Sequence, residues 1–230
     1  MIDPATLPSL PRLVSAPRFE RYQQRYAGRS DLAVRLYAWN IELTTAFWGP
    51  VGCLEVFLRN AVHDALRHGR RDDWWNEPAV RLLVRERRAI DAAIRTLRDR
   101  GDPDPAPDRV VAATSLGLWV GLTDAGVPRD PLWSYETSIW QPRVVHAFPG
   151  LGRVRRKQLH RRLDDVRRFR NRLAHHEPIH TAPLELIRDD IIAIAGFIDP
   201  QAAALIDGAH RIDQVLLRKR AAVETGASVI

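Results

Sequence analysis

The segment Arg155-Arg156-Lys157-Gln158-Leu159-His160-Arg161-Arg162-Leu163-Asp164-Asp165-Val166-Arg167-Arg168-Phe169-Arg170-Asn171-Arg172-Leu173-Ala174-His175-His176 admits only one periodicity. Leu159, Leu163, Val166 and Leu173 fall four, three and seven residues apart, the spacing of one face of an α-helix. The alternation of a strand is absent. The spacing predicts a long basic helix over 152–174. Arg170 falls within the apolar stripe, so its guanidinium must reach solvent, find a partner or serve a cleft. Pro178 disfavours helical geometry at Glu177 and lacks an amide donor, which places the end of the helix just beyond that arginine.

Helical spacing continues on either side. Leu54, Phe57, Leu58, Ala61, Val62 and Ala65 share a face, with Glu55, Arg59, Asn60 and His63 interleaved. Ser30 can cap a preceding helix that runs to about Phe47, where Gly49-Pro50 is expected to interrupt it. Pro78 suits the first position of a helix running to Arg100 and stopped by Gly101. The alternating prolines of 102–107 demand a loop. The apolar stretch 110–122, with Leu116 and Trp119, predicts one buried helix, and 124–150 an irregular segment packed by Trp133 and Trp140. Pro183 and Pro200 predict helices over 183–197 and 200–222. Residues 1–16 read as an extended arm and 17–27 as a short helix ending near Gly28. The expected fold is all-α: arm and short helix at 1–29, one helical domain at 30–222 and a tail at 223–230.

An apolar content of 45% and 7 tryptophans exclude a disordered chain. Cys53, the one cysteine, excludes an internal disulfide and reads as a core residue beside Gly52. Met1-Ile2-Asp3-Pro4 has neither a basic nor an apolar leader segment, and no apolar run approaches the ~20 residues of a membrane span. A cytoplasmic protein without a membrane partner is expected. The net charge of +7 favours a polyanion, but distribution carries more than the total. Between Arg153 and Arg172 stand ten lysines and arginines against Asp164 and Asp165. A solvated face explains such a run equally well; what distinguishes this one is that it leads into Arg170-Asn171-Arg172-Leu173-Ala174-His175.

An arginine offers phosphate a fixed donor fork, and an imidazole moves protons near neutral pH. Residues five apart on a straight helix are separated by ~140° in projection, so Arg170 and His175 converge only where the helix ends. Asn171 can hydrogen-bond either neighbour. The plainer reading is that Arg and His near a C-terminus stabilise its carbonyls and dipole. His176-Glu177-Pro178-Ile179-His180 matches the zinc-protease pattern H-E-x-x-H, which needs both histidines one turn apart on a helix; the internal proline opposes it. No cofactor or metal is expected, and His175, His176 and His180 read as surface histidines. Asp164-Asp165 reads as a salt-bridged pair. Trp74-Trp75 reads as packing, with base stacking the other use of such a pair.

Three segments, in order, carry a likeness to a known family. They are Leu54-Glu55-Val56-Phe57-Leu58-Arg59-Asn60, Val110-Val111-Ala112 through Leu116-Gly117-Leu118-Trp119, and Arg170-Asn171 through His175-His176-Glu177-Pro178. Together the chain resembles the Abi-like proteins, bacterial abortive-infection factors of the HEPN superfamily. The likeness covers most of 30–200. It implies a HEPN-like helical bundle with additional helices that pairs as a homodimer, and a metal-independent endoribonuclease acting on RNA in phage defence under an antitoxin or other regulatory partner. Arg170 and His175 would be the catalytic pair, with Asn171 beside them and Glu55 and His176 in support; the choice between His175 and His176 stays open. Arg155, Arg156, Arg161, Arg162 and Arg167 would guide the RNA. The rival from another class is a non-catalytic RNA- or protein-binding helical dimer.

Overall fold

Two short helices, α1 (Leu10–Val14) and α2 (Ala16–Gln23), precede a 38-residue helix, α3 (Ser30–Arg67), that does not stop at Pro50. The computed structural model describes residues 9–229. The first part of the expected arm, residues 1–8, lies outside the described residues; from Leu10 onward the chain is helical rather than extended, with a break at Ser15 (φ 74°). Proline inside a helix costs roughly 3 kcal/mol. Phe47, Val51, Leu54 and Leu58 on either side of Pro50 are all buried, and burying a large apolar side chain returns about 1.5–3 kcal/mol each. Tertiary burial therefore overrides the local break. The joined helix is also, among the described residues, long and apolar enough to cross a membrane by length and composition. Core helices pass the same test, and Trp39, Leu43 and Leu58 of α3 are buried in the protein.

The remaining helices are α4 (Val84–Asp99), α5 (Pro107–Ala113), α6 (Leu116–Gly121), α7 (Arg156–Ala174), α8 (Leu184–Ile198), α9 (Pro200–Ala209), α10 (Ile212–Leu217) and α11 (Lys219–Thr225). The fold is all-α: helix accounts for about 68% of the protein and no strand occurs among the described residues. The chain divides into two compact units. One comprises the chain up to Val51, Phe169–Asp189 and the chain from Gly208; the other comprises Gly52–Arg168 and Asp190–Asp207.

In the first unit, Trp39 is buried and donates Nε1–H to the Val215 carbonyl at 3.0 Å, and Phe47 meets Phe169 edge-on with ring centres 4.8 Å apart. The segment expected as one helix over 200–222 is three helices. The Ile212 amide donates to His210 Nδ1 at 3.2 Å, which opens a new helix there. Beyond α11, Gly226 takes the left-handed conformation (φ 75°) that ends it. The chain after it is tied down: buried Glu42 accepts from Arg218 Nη1 (3.3 Å) and the Val229 amide (3.2 Å).

In the second unit, Leu54, Leu58, Val62 and Leu66 of α3, Ile90 and Leu97 of α4 and Leu159, Leu163 and Val166 of α7 are buried. Trp74 and Trp75 are buried edge to face, and Trp74 donates to His63 Nδ1 at 3.1 Å, so the pair packs. α4 starts at Val84 rather than Pro78, because Val80 and Leu82 are buried ahead of it and the Leu83 amide donates to the Tyr135 hydroxyl at 2.7 Å. It ends at Asp99, two residues before Gly101, which takes the left-handed conformation (φ 90°). The single helix expected over 110–122 is split at Thr114-Ser115. The Thr114 hydroxyl donates to the Val111 carbonyl (2.7 Å) and accepts from Trp119 Nε1 (2.9 Å), replacing backbone bonds of a continuous helix. In 124–150 Trp140 is buried, but Trp133 is 37% exposed and does not pack the core.

Candidate catalytic site at the end of helix α7

The apolar stripe of α7 ends at Leu173, and its backbone closes there in a defined way. The His175 amide still donates to the Asn171 carbonyl at 3.0 Å; the next two amides turn back, His176 to Leu173 (3.0 Å) and Glu177 to Arg172 (2.9 Å). Those crossed bonds, with His176 at φ 53°, form a Schellman cap whose left-handed residue is histidine instead of the usual glycine. The apolar contact that often closes such a cap is replaced by charge. Arg172 stands 3.9 Å from Glu177 and donates to the Pro178 carbonyl. His175 is thus the last residue with a helical amide bond, and His176 the residue that reverses the chain.

Asn171, His175 and His176 are exposed, and Asn171 and His175 share a face one turn apart. Arg170, half-buried, holds its guanidinium carbon 5.9 Å from the centre of the Trp48 ring, which is 37% exposed. The cation of this arginine in the apolar stripe thus lies near an aromatic face while staying near water. Glu55 is half-buried on α3 in the other unit.

The exit loop is fixed from α3. Asn40, buried, accepts at Oδ1 from the amides of Ile179 (2.8 Å) and His180 (3.1 Å). His180 lies against the Tyr22 ring, 5.1 Å between centres. Burial first, then the charges of Lys219, Arg25 and Arg172, push its imidazole down to about 4, so it is neutral at neutral pH. This geometry disposes of H-E-x-x-H: helix ends before His176, His176 is left-handed and His180 is packed away. Among the described residues no three of His, Cys, Asp and Glu are grouped to hold a metal ion. Two residues of this region escape a reading of the sequence. Trp48 reads as one more core tryptophan. Asn40 leaves a fainter mark, a lone amide in the apolar run Tyr37-Ala38-Trp39-Asn40-Ile41.

The basic residues of α7 separate into two groups. Arg155 and Arg161 are exposed, as are Lys157 and Arg168. Arg156 is held inside its unit by Glu136 and by the Thr123 carbonyl (2.9 Å). Arg167 places two nitrogens on Asp164 at 2.6 and 2.9 Å, and Arg168 joins the same carboxylate at 2.8 Å. Arg162 lies 3.4 Å from Asp190, its guanidinium 6.0 Å from the Phe197 ring centre. Asp164 therefore works as a salt-bridged anchor. Comparison with protein families, with characterised proteins and with solved structures returns no match.

Proposed function

We propose that this protein is a metal-independent endoribonuclease of the HEPN type, with Arg170, Asn171 and His175 as its working residues and abortive infection as its setting. One observation carries the reading: an exposed imidazole stands where α7 gives out, five residues beyond an arginine whose guanidinium is held near the surface on Trp48. The 2′-hydroxyl of RNA is an internal nucleophile. His175 takes its proton as the 2′-oxygen bonds phosphorus; the bond to the 5′-oxygen breaks, and that oxygen is protonated by a second acid, a histidine of a second copy in a homodimer. The products are a 2′,3′-cyclic phosphate and a 5′-hydroxyl. Arg170 balances the charge gathering on the phosphorane oxygens. The exposed cations Arg155, just ahead of α7, and Lys157 and Arg161 on it attract the RNA backbone.

The test is incubation of purified protein with end-labelled RNA in EDTA, followed by end-group analysis. Cyclic phosphate ends are expected, with loss of roughly 10²-fold or more in the His175→Ala and Arg170→Ala variants and none on DNA. Undiminished cleavage by both variants would end the assignment. RNA that is retarded but intact, with resting and activated protein alike, would establish the non-catalytic binding module in its place.

A further inference from the structure

The second unit contains a groove that none of this chemistry uses. It has a cavity volume of about 600 Å³, within the ~300–1,000 Å³ typical of small-ligand sites. Its apolar lining is made of small side chains on α3 (Ala61, Ala65) and of Pro142, Ala147 and Pro149 after Trp140, with Ile198. Its polar wall consists of Asp64, His68 and His146, all exposed, and Arg143. Arg143 is not a swinging side chain: one Nη donates to the His68 main-chain carbonyl, just past the end of α3. A guanidinium has five N–H donors, and this anchor occupies one side of the fork.

We propose that this groove binds a phosphomonoester carried on a flat ring system, of the size of a nucleoside monophosphate, with the phosphate held by Arg143 between the imidazoles of His68 and His146. Three features argue for an anion there. Two imidazoles and a planar cation line one cavity together with small apolar side chains that a ring can pack against. Arg143 also lies near a second cation, Arg70, whose proton affinity is lowered by burial and then by the charge of Arg143, so positive charge accumulates beside the groove. The one carboxylate in the lining, Asp64, is already engaged by Arg67 at 2.9 Å. Only a protonated imidazole offers an anion both a charge and two N–H donors, so affinity should be greater at pH 6.2 than at pH 8.

Calorimetric titration of the full chain with adenosine 5′-monophosphate at pH 6.2 and pH 8 tests this, with adenosine, inorganic phosphate and a 5′-phosphorylated tetraribonucleotide as further arms. Saturable binding is expected for the monophosphate, at least tenfold weaker binding for adenosine, and weaker binding at pH 8. The variants His68→Asn/His146→Asn and Arg143→Gln should each lose about tenfold or more with unchanged circular dichroism. Comparable affinity of the tetranucleotide identifies the source as an RNA 5′ end; binding of the mononucleotide alone identifies a free nucleotide. No saturation in any arm overturns the proposal. So does affinity that survives the double histidine variant and falls in Arg170→Ala/His175→Ala, which would place the ligand at the end of α7. RNA cleavage by the double histidine variant reports separately on the nuclease reading.

Discussion

His176 occupies a backbone conformation, φ 53°, in which the side chain of an ordinary L-residue meets its own peptide group. Left-handed geometry costs such a residue roughly 1–2 kcal/mol, and glycine escapes most of that. His176→Gly should therefore stabilise the protein by about 0.5–1 kcal/mol, a midpoint rise of roughly 1–4 °C in thermal unfolding. Because His175 and not His176 bears the proton-transfer role proposed here, RNA cleavage should survive the change. A stabilised but inactive His176→Gly protein would transfer that role by one residue. His180 gives a second handle, through pH. Its imidazole is held near 4 in the folded protein, against about 6.5 in an unfolded chain, so the unfolded state takes up the proton first as pH falls. The stability that His180 contributes is complete above pH 6.5 and is lost between 6.5 and 4. His63 is shifted in the same direction, by burial and then by Arg67, so the measurement must be a difference. Denaturant midpoints of the parent should fall more steeply from pH 7 to pH 4.5 than those of His180→Gln; parallel profiles would remove His180 from the account.

At the scale of elements, the exit from α7 is held by another helix. Asn40 of α3 satisfies two amides of the loop that follows His176, and replacing it with alanine leaves both without that acceptor. The expected cost is about 2–3 kcal/mol of stability. If the loop also aims His175, cleavage by the folded Asn40→Ala protein should drop further than the unfolded fraction accounts for, at temperatures well below its midpoint. Activity in proportion to folded protein would confine Asn40 to a structural part. α7 itself is legible in the sequence because its signals are local: an apolar stripe at helical spacing, and Pro178 to close it. Asn40 is not, since the amides it serves lie 139 and 140 residues away. The same distinction covers the misread elements. Gly49-Pro50 is a strong local stop, and only burial of Phe47, Val51, Leu54 and Leu58 carries α3 through it. The split at Thr114-Ser115 depends on a hydroxyl that also accepts from Trp119, a geometry that apolar periodicity does not report.

Across the whole molecule a net charge of +7 predicts attraction to RNA, but the structure separates cations available to a ligand from cations the fold already uses. Arg155 and Arg156 are indistinguishable in sequence. Arg155 is exposed, whereas Arg156 is held by Glu136 and the Thr123 carbonyl. Arg161 and Arg167 divide the same way, Arg167 being spent on Asp164. Each phosphate neutralised on a single strand contributes roughly 0.7 to the slope of log affinity against log salt. Arg155→Ala and Arg161→Ala should each flatten that slope by about this amount and leave thermal stability unchanged. Arg156→Ala and Arg167→Ala should leave the slope unchanged and lower stability instead. The first removes the partner of Glu136 and the donor to the Thr123 carbonyl, at a cost of about 1 kcal/mol, and the second costs less because Arg168 still pairs with Asp164. Salt titrations of RNA binding, run beside thermal melts of the four variants, decide the matter. Should Arg156→Ala flatten the slope while its melting point holds, the ion pair with Glu136 opens to receive RNA, and the interface on α7 extends to residues the fold otherwise retains.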